Sequence, residues 1–292
     1  MYELKHVLGN TYYIESPAKI GLIKLNGTEA VLIDSGNDKE AGKKALRHVE
    51  ACGCTLKAVY NTHSNADHIG GNALLQSRTG CKIYANGAEC AFTQMPRLES
   101  TLLFGANPPK ELRGKFLMAQ ESPAEPLTTS SLPNGFEIIP LPGHFVDMIG
   151  FRTPDDVVFL ADCLSSKETV EKYKIGFIYD VAAYLETLES VKTMKAAYFV
   201  PSHAMATDDI SELAQYNIDA VKSIADRLCE LSIAPVTFET LLKRVFEDYG
   251  LTMTFEQHAL VGSTVRSYLT YLSDLGRISA KIEDNTVFWQ TV

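Results

Sequence analysis

The sequence lacks any apolar run long enough to cross a membrane. Its first residues, which include Glu3, also lack the apolar segment of a secretory signal peptide, so we expect a cytoplasmic protein without a membrane anchor. The six cysteines are scattered and include no Cys-x-x-Cys pair, which predicts reduced thiols. Cys52 and Cys54 are separated by a single residue, and we interpret them as structural.

Basic residues are also scarce relative to acidic ones. The chain has 27 Lys and Arg against 36 Asp and Glu, a formal net charge of −9. Affinity for nucleic acid or anionic lipid depends on clustered basic side chains, so the composition disfavours both partners. At 292 residues and 46% hydrophobic content the chain is long and apolar enough for a sizeable core. We expect a soluble protein that acts on a small molecule.

The order of apolar patterns predicts an α/β architecture. Alternating segments at residues 11–14 and 30–34 indicate strands of a β-meander, and residues 39–51 have the apolar spacing of an amphipathic helix. A strand at residues 56–60, a helix from residue 72 and a further strand and helix follow. This alternation is typical of α/β folds.

The loop between the strand at 56–60 and the next helix concentrates ligand chemistry. Within six positions it contains His63, Asn65, Asp67 and His68. A strand-to-helix loop can direct several side chains at one point, which neither a strand nor a helix does over so few residues.

Three later strands are predicted to deliver further ligand-type side chains. His144 follows the strand at 136–141, Asp162 follows the second arm of a hairpin predicted at 149–160, and His203 follows the strand at 196–200. A metal ion needs such donors to converge from separate elements.

Taken together, these motifs resemble those of the metallo-β-lactamase superfamily. Residues 63–68 are similar to its His-x-His-x-Asp-His signature and residues 34–36 to its early aspartate strand. Pro142-Gly143-His144, Leu160-Ala161-Asp162 and Pro201-Ser202-His203 are similar to its later motifs, in the same order. The resemblance covers roughly residues 10–207 and implies an αββα sandwich.

The resemblance also implies a ligand set for one or two divalent ions, zinc first, with iron or manganese as alternatives. A first site would use His63, residue 65 and His144, while a second would use Asp67, His68 and His203. Asp162 would bridge the two sites. Asp67 would also orient the attacking hydroxide, which makes it the candidate catalytic residue.

Asn65 departs from the family pattern, because a histidine belongs at that position. A neutral carboxamide oxygen is a poorer donor to zinc than an imidazole nitrogen, so we expect a weakened first site and one tightly held ion per chain. A degenerate site that serves binding or regulation is the alternative. Cys163 is either a packed small residue or a nearby thiolate ligand, and Tyr179 is a candidate substrate contact.

Two segments fall outside the family core. Residues 95–131 are rich in proline and contain apolar patches, which predicts an insertion that acts as a binding loop or lid. Residues 208–235 are expected to form a connecting helix. Residues 236–292 are predicted to contain a helix at 237–248, one or two helices at 255–276 and a hairpin, and we interpret this segment as a winged-helix-like α+β domain, in which three helices precede a hairpin.

Within the family, the motifs resemble the glyoxalase II and small metallo-hydrolase branch, which implies hydrolysis of a small thioester, lactone or similar acyl group. A phosphodiesterase or nuclease remains an alternative on the same core, and so does a sensor with a DNA-binding C-terminal domain. Residues 236–292 hold five basic and seven acidic side chains, a net charge of −2 that is unfavourable for DNA. We expect four exposed aromatic residues there to form a packed or protein-contacting surface, which can serve homodimerisation: Tyr268, Tyr271, Phe288 and Trp289.

Overall fold

The strands of the computed structural model, which describes residues 2–292, form a seven-stranded sheet, a four-stranded sheet and a hairpin. The strands of the first sheet follow chain order: β1 (Glu3–Leu8), β2 (Thr11–Glu15), β3 (Ile20–Lys24), β4 (Glu29–Ile33), β5 (Thr55–Tyr60), β6 (Lys82–Ala85) and β7 (Glu125–Pro126). Neighbouring strands are antiparallel from β1 to β4 and parallel from β4 to β7. The second sheet contains β8 (Glu137–Pro140), β9 (Ile149–Arg152), β10 (Val157–Ser165) and β11 (Tyr198–His203). In it β11 is parallel to β10, and the other pairs are antiparallel. The hairpin consists of β12 (Ile278–Glu283) and β13 (Thr286–Thr291).

The helices lie between and after these strands: α1 (Lys39–Ala51), α2 (Ala66–Ile69), α3 (Asn72–Thr79), α4 (Glu89–Gln94), α5 (Arg97–Phe104), α6 (Lys167–Tyr173), α7 (Val181–Thr193), α8 (Ser211–Leu231), α9 (Phe238–Asp248) and α10 (Phe255–Asp274). Two short 3-10 helices cover Lys110–Arg113 and Thr129–Ser131. α1 shows why such segments form helices: the Asp38 carboxylate caps its first turn and Ala41, Ala45 and Val49 share its buried face. None of the helices formed by residues 2–292 combines the length and apolarity needed to cross a bilayer.

The two large sheets pack face to face, with helices on their outer faces. Ile33 and Tyr60 of the first sheet and Phe151, Phe159 and Val200 of the second are buried in the layer between them. Separate apolar clusters join the first sheet to α1 and α3 and the second to α7 and α8. β10 is an apolar run because it is covered on both sides. The predicted αββα class is confirmed.

Two details differ from the sequence-based expectations. β1 and α6 were not predicted, because α6 has no buried residue and β1 is half exposed, so neither carries a clear periodic signal. His144 lies in a loop after β8 and not directly at the strand end, and Asp162 lies inside β10, which continues to Ser165. The register of β10 against β11 shifts on either side of Ala161, which bends the strand at the site.

Residues 95–131 are largely ordered into short elements. They contain α5 and both 3-10 helices, and β7 extends the edge of the first sheet. Leu103, Leu112 and Leu117 pack against Ala259 of α10. This segment therefore contacts the C-terminal region.

The C-terminal helices share their core with the second sheet. One cluster of buried side chains runs from Leu160 in β10 through Leu188 and Leu228 to Leu269 in α10. The expectation of exposed aromatic residues was wrong, because Tyr268 is fully buried in this cluster. Tyr271 and Trp289 pack partly against it, and Phe288 is half-buried.

Candidate metal centre

Asp34 organises the loop that carries most of the predicted ligands. It follows β4 in the left-handed backbone region, with φ of +62°. Its carboxylate accepts hydrogen bonds from the Thr62 backbone N–H and hydroxyl, each at 2.8 Å. The same carboxylate lies 2.8 Å from Nδ1 of His68. Asp34 thus ties both ends of the loop to the end of a central strand.

The structure brings the predicted ligands together as two groups. His63, His144 and Asp162 form the first group, and Asp67, His68, Asp162 and His203 form the second. Within each group the candidate ligand atoms all lie within 4.8 Å of one another. The loop after β5, the short helix α2, the loop after β8, strand β10 and the end of β11 each contribute.

Asp162 belongs to both groups. Its Oδ2 atom lies 3.0 Å from Nε2 of His203 and 3.8 Å from Nε2 of His144, while its Oδ1 lies 3.1 Å from Nε2 of His68. Asp67 closes the second group, with Oδ2 at 3.3 Å from Nε2 of His203. One carboxylate between two donor groups is the arrangement that a bridging ligand requires.

The chemistry of the donor set fits divalent cations. Within residues 2–292, Nε2 of His63 is buried without a hydrogen-bond partner, and Nε2 of His68 and Oδ1 of Asp162 have only each other, at 3.1 Å and without the geometry of a hydrogen bond. Leaving buried polar atoms unpaired costs free energy, so their convergence needs a compensating group. Imidazole nitrogen and carboxylate oxygen together suit zinc, iron or manganese.

The outer nitrogen of each of three rings has a partner that holds the ring in place. Nδ1 of His68 contacts Asp34, Nδ1 of His203 lies 2.9 Å from the Pro17 carbonyl oxygen, and Nδ1 of His63 lies 3.0 Å from the Thr62 hydroxyl. Such contacts turn the Nε2 atoms towards the centre of the site, as the outer partners of metal-binding histidines do.

The two groups differ in their proton affinity. Burial by itself would lower the pKa of His203, but the carboxylates of Asp162 and Asp67 outweigh burial and raise it to about 10. Despite burial, Asp162, Asp67 and Asp34 likewise raise the pKa of His68 well above its usual value. Burial holds the pKa of His63 well below its usual value and lowers that of His144. Without a bound cation, the second group therefore holds protonated imidazoles and the first holds neutral ones.

Asn65 lies beside the first group. Its Oδ1 atom is 3.2 Å from Nε2 of His144, and its Nδ2 atom donates to Oε1 of Glu99 at 2.8 Å. The side chain of Asn65, the residue that departs from the family pattern, thus lies between His144 and Glu99.

Two buried glutamates were missed by sequence reasoning. Glu99 contacts Asn65, and Glu89 accepts from the Ser64 backbone N–H at 2.9 Å and the Asp147 backbone N–H at 2.8 Å. Glu89 thereby joins the loop of His63 to the loop of His144, and burial raises its pKa to about 7. Both residues lie on short helices with no local motif, so the only available signal was a charged residue among apolar neighbours.

Cys163 and Tyr179 are the two other residues that the sequence singled out, and they differ in burial. Cys163 is fully buried, and burial together with the Asp162 charge raises its thiol pKa, which keeps it protonated. It belongs to neither donor group found in residues 2–292. The Tyr179 backbone N–H donates to the Gly143 carbonyl at 3.0 Å, and its side chain is 42% exposed next to the His144 loop.

Gly143 sets the path of the loop that carries His144. Its φ of +119° lies where residues with a side chain are strained. A Cβ there would also lie 2.3 Å from the Tyr184 backbone nitrogen in α7. The loop can approach α7 this closely only with glycine.

Solved structures with the same architecture cover nearly the whole chain. A metallo-beta-lactamase family protein from Thermus thermophilus is 17% identical, with a TM-score of 0.72 over 97% of this chain and 99% of that chain. A beta-lactamase domain protein from Burkholderia ambifaria is 16% identical, with a TM-score of 0.71 over 99% of this chain and 94% of that chain. The metallo-beta-lactamase FIM-1 from Pseudomonas aeruginosa, in its mono-zinc form, is 14% identical with a TM-score of 0.57 over 76% of this chain and 95% of that chain. At these identities the likeness is one of fold.

No sequence among curated proteins matches the chain. The family model of the metallo-beta-lactamase superfamily matches residues 9–203, which is well over half of the chain and includes every residue of both donor groups. The chain therefore belongs to the metallo-beta-lactamase superfamily.

Proposed function

We propose that the protein is a metal-dependent hydrolase that acts on a small acyl substrate such as a thioester or lactone. The observation that carries the proposal is the pair of donor groups that share Asp162 and contain buried nitrogen and oxygen atoms without partners in residues 2–292. Divalent ions at these donors would supply Lewis acidity and an acidified water molecule. Zinc is our first choice, with iron and manganese as alternatives.

Asp67 is the proposed catalytic residue. Its carboxylate remains 40% exposed although it contacts the buried centre through His203. Burial would raise its pKa, but the neighbouring His68 and His203 outweigh burial and lower it to about 2. Asp67 is therefore ionised at neutral pH, and it can accept a hydrogen bond from the attacking water and orient it towards the substrate.

The acyl class is favoured over phosphodiesters by charge. The residues that form the centre are imidazoles, one carboxamide and the carboxylates of Asp67 and Asp162. A polyanionic substrate would meet this site on a chain with a net charge of −9. A thioester or lactone brings a neutral carbonyl group and avoids that repulsion.

Phe177 and Tyr179 are the proposed substrate-facing residues. The ring of Phe177 is half-buried and lies 5.7 Å from the ring of His144. Tyr179 lies two residues further on and exposes its side chain. Together they would offer an apolar surface to the acyl group beside the first donor group.

The test is hydrolysis by the full chain reconstituted separately with zinc, manganese and ferrous iron. The panel contains thioesters and lactones of short and medium acyl length and a chromogenic phosphodiester. We expect acyl hydrolysis that Asp67→Asn lowers at least about 100-fold when the metal is supplied at saturating concentration, because Asp67 is also a donor of the second group. Asp208→Asn, at an exposed position outside the donor groups, is the matched control. Turnover of the phosphodiester alone would overturn the acyl assignment, and a metal-loaded chain that turns over nothing would favour the degenerate, regulatory site.

A further inference from the structure

The side chain of Asn65 does not cap the helix that begins at this residue. Asn65 is the N-cap of α2, where an asparagine side chain usually accepts from the backbone N–H groups of the first turn. Here it makes no capping hydrogen bond. It extends instead between Glu99 and His144, at 2.8 Å and 3.2 Å. The side chain therefore lacks the stabilising hydrogen bonds of a helix cap and instead contacts two residues that are distant in sequence.

Glu99 is buried at a free-energy cost that its own contacts do little to offset. It lies on α5 and is 6% exposed. Among residues 2–292, its carboxylate makes one hydrogen bond, with Asn65, and no ion pair with a basic side chain. Burial raises the pKa of Glu99 well above its usual value, and an acidic side chain buried with so little compensation argues for a role in the site.

The chemistry of the contact selects one orientation of the amide. The NH2 group of Asn65 donates to Oε1 of Glu99 at 2.8 Å, and this oxygen can accept the hydrogen bond whether or not the carboxyl group is ionised. The Oδ1 atom is thereby turned towards His144 and the first donor group. In the reversed orientation the NH2 group, which is not a metal ligand, would face His144. Oε1 of Glu99, which accepts from the NH2 group in the observed orientation, would then face the carboxamide oxygen.

We propose that Glu99 is a positioning residue that fixes Asn65 as an oxygen donor to the first metal position. The Asn65 and Glu99 pair thus takes the place of the family's second histidine. The hydrogen bond also polarises the amide and increases the negative charge on its oxygen, which strengthens a donor that is otherwise weak. This inference rests on the metal binding in the proposed function but not on any particular substrate.

The experiment is a titration of the full-length, chelator-treated protein with zinc alone, and with cobalt as a spectroscopic probe. For the wild type we expect two binding events, the weaker of which is the first position. Glu99→Ala and Asn65→Ala should each weaken that event by about 10–100-fold and leave the tighter event unchanged. The double variant should be no weaker than Asn65→Ala alone, because Glu99 acts through Asn65. Glu111→Ala, an exposed glutamate in the same segment, should titrate like the wild type.

Several results would overturn the inference. These are a wild type that binds one ion at every concentration, an unchanged weaker event in Glu99→Ala, and a further loss when Glu99→Ala is added to Asn65→Ala. Glu99→Gln keeps the shape of the side chain and guards against a folding defect. Because its side-chain oxygen can still accept from Asn65, we expect it to recover most of the zinc affinity of the first position that Glu99→Ala loses, whereas a purely structural role predicts a lower unfolding temperature and unchanged zinc binding in Glu99→Ala. Because no substrate is used, a failure of the hydrolase proposal and a failure of this inference give different results.

Discussion

Metal binding at the second donor group should be strongly dependent on pH, because a cation must displace protons from two imidazoles. The pKa of His203 is raised to about 10, and that of His68 is also raised well above its usual value. At pH 7, three units below the His203 value, removing that proton costs about 4 kcal/mol at about 1.4 kcal/mol per pKa unit. His68 adds to this cost. Affinity for the tighter ion should therefore rise about 100-fold per pH unit near neutrality, with release of about two protons.

The first donor group should behave differently. His63 and His144 are neutral at pH 7 because burial lowers their pKa values. The weaker binding event should therefore displace almost no proton from its imidazoles. The two events can be separated by competition with a chromogenic chelator between about pH 6 and pH 8.5, and by calorimetry in buffers of different ionisation enthalpy.

The control is a histidine outside the centre. His48 contacts the Tyr2 carbonyl at 2.9 Å, and His48→Gln should leave the pH dependence unchanged. His203→Ala should weaken the tighter event and reduce its slope by about one proton. A metal-bound water molecule that becomes more acidic would release a further proton and could only increase the pH dependence. If the affinity of the wild type for the tighter ion rose less than about tenfold per pH unit, the reasoning would be refuted.

The raised pKa of His203 also predicts how the stability of the metal-free chain depends on pH. The ordinary pKa of a histidine is 6.5, and the folded value for His203 is about 10. Its protonation therefore contributes stability that is fully present below pH 6.5 and is lost as the pH rises towards 10. The unfolding temperature of the metal-free chain should fall over that range, while bound metal should reduce the fall.

Other changes test the remaining parts of the centre. Metal analysis after purification without chelator should give about one ion per chain, and Asn65→His should raise this value towards two; unchanged stoichiometry would mean that another group completes the first site. Gly143→Ala should lower the free energy of unfolding by about 3 kcal/mol and reduce the affinity of the first site, since its Cβ would lie 2.3 Å from the Tyr184 nitrogen. Glu89→Ala should cost about 3 kcal/mol in chemical denaturation because it leaves two buried backbone N–H groups unpaired, and a loss below about 1 kcal/mol would contradict that role.

The αββα class and the candidate ligands could be predicted because their signals are local. His63, Asp67 and His68 share one short loop, and His144, Asp162 and His203 follow apolar strand patterns. The spacing of donors along the chain is enough to suggest a metal loop, even with asparagine at position 65. The structure then confirmed the fold and brought all six of these residues within two donor groups.

The exposure of side chains in the C-terminal region could not be predicted in the same way. Tyr268 lies on α10, which shares one core with the second sheet and with α7 and α8. It is therefore buried, although the sequence pattern predicted an exposed side chain. Burial depends on which elements meet, and the helical pattern of α10 alone does not contain that information.

The sequence by itself determined the donor types, their order and the sheet-and-helix scaffold that carries them, because these follow from local spacing and apolar periodicity. Tertiary structure alone decided how the donors behave. It brought Glu99 to Asn65 across 34 positions of the chain and placed Glu89 between two loops. It surrounded His203 and His68 with carboxylates, whereas burial dominates the pKa values of His63 and His144. Proton affinity and amide orientation depend on charge, burial and hydrogen bonding between residues far apart in sequence, and the folded chain alone sets those distances.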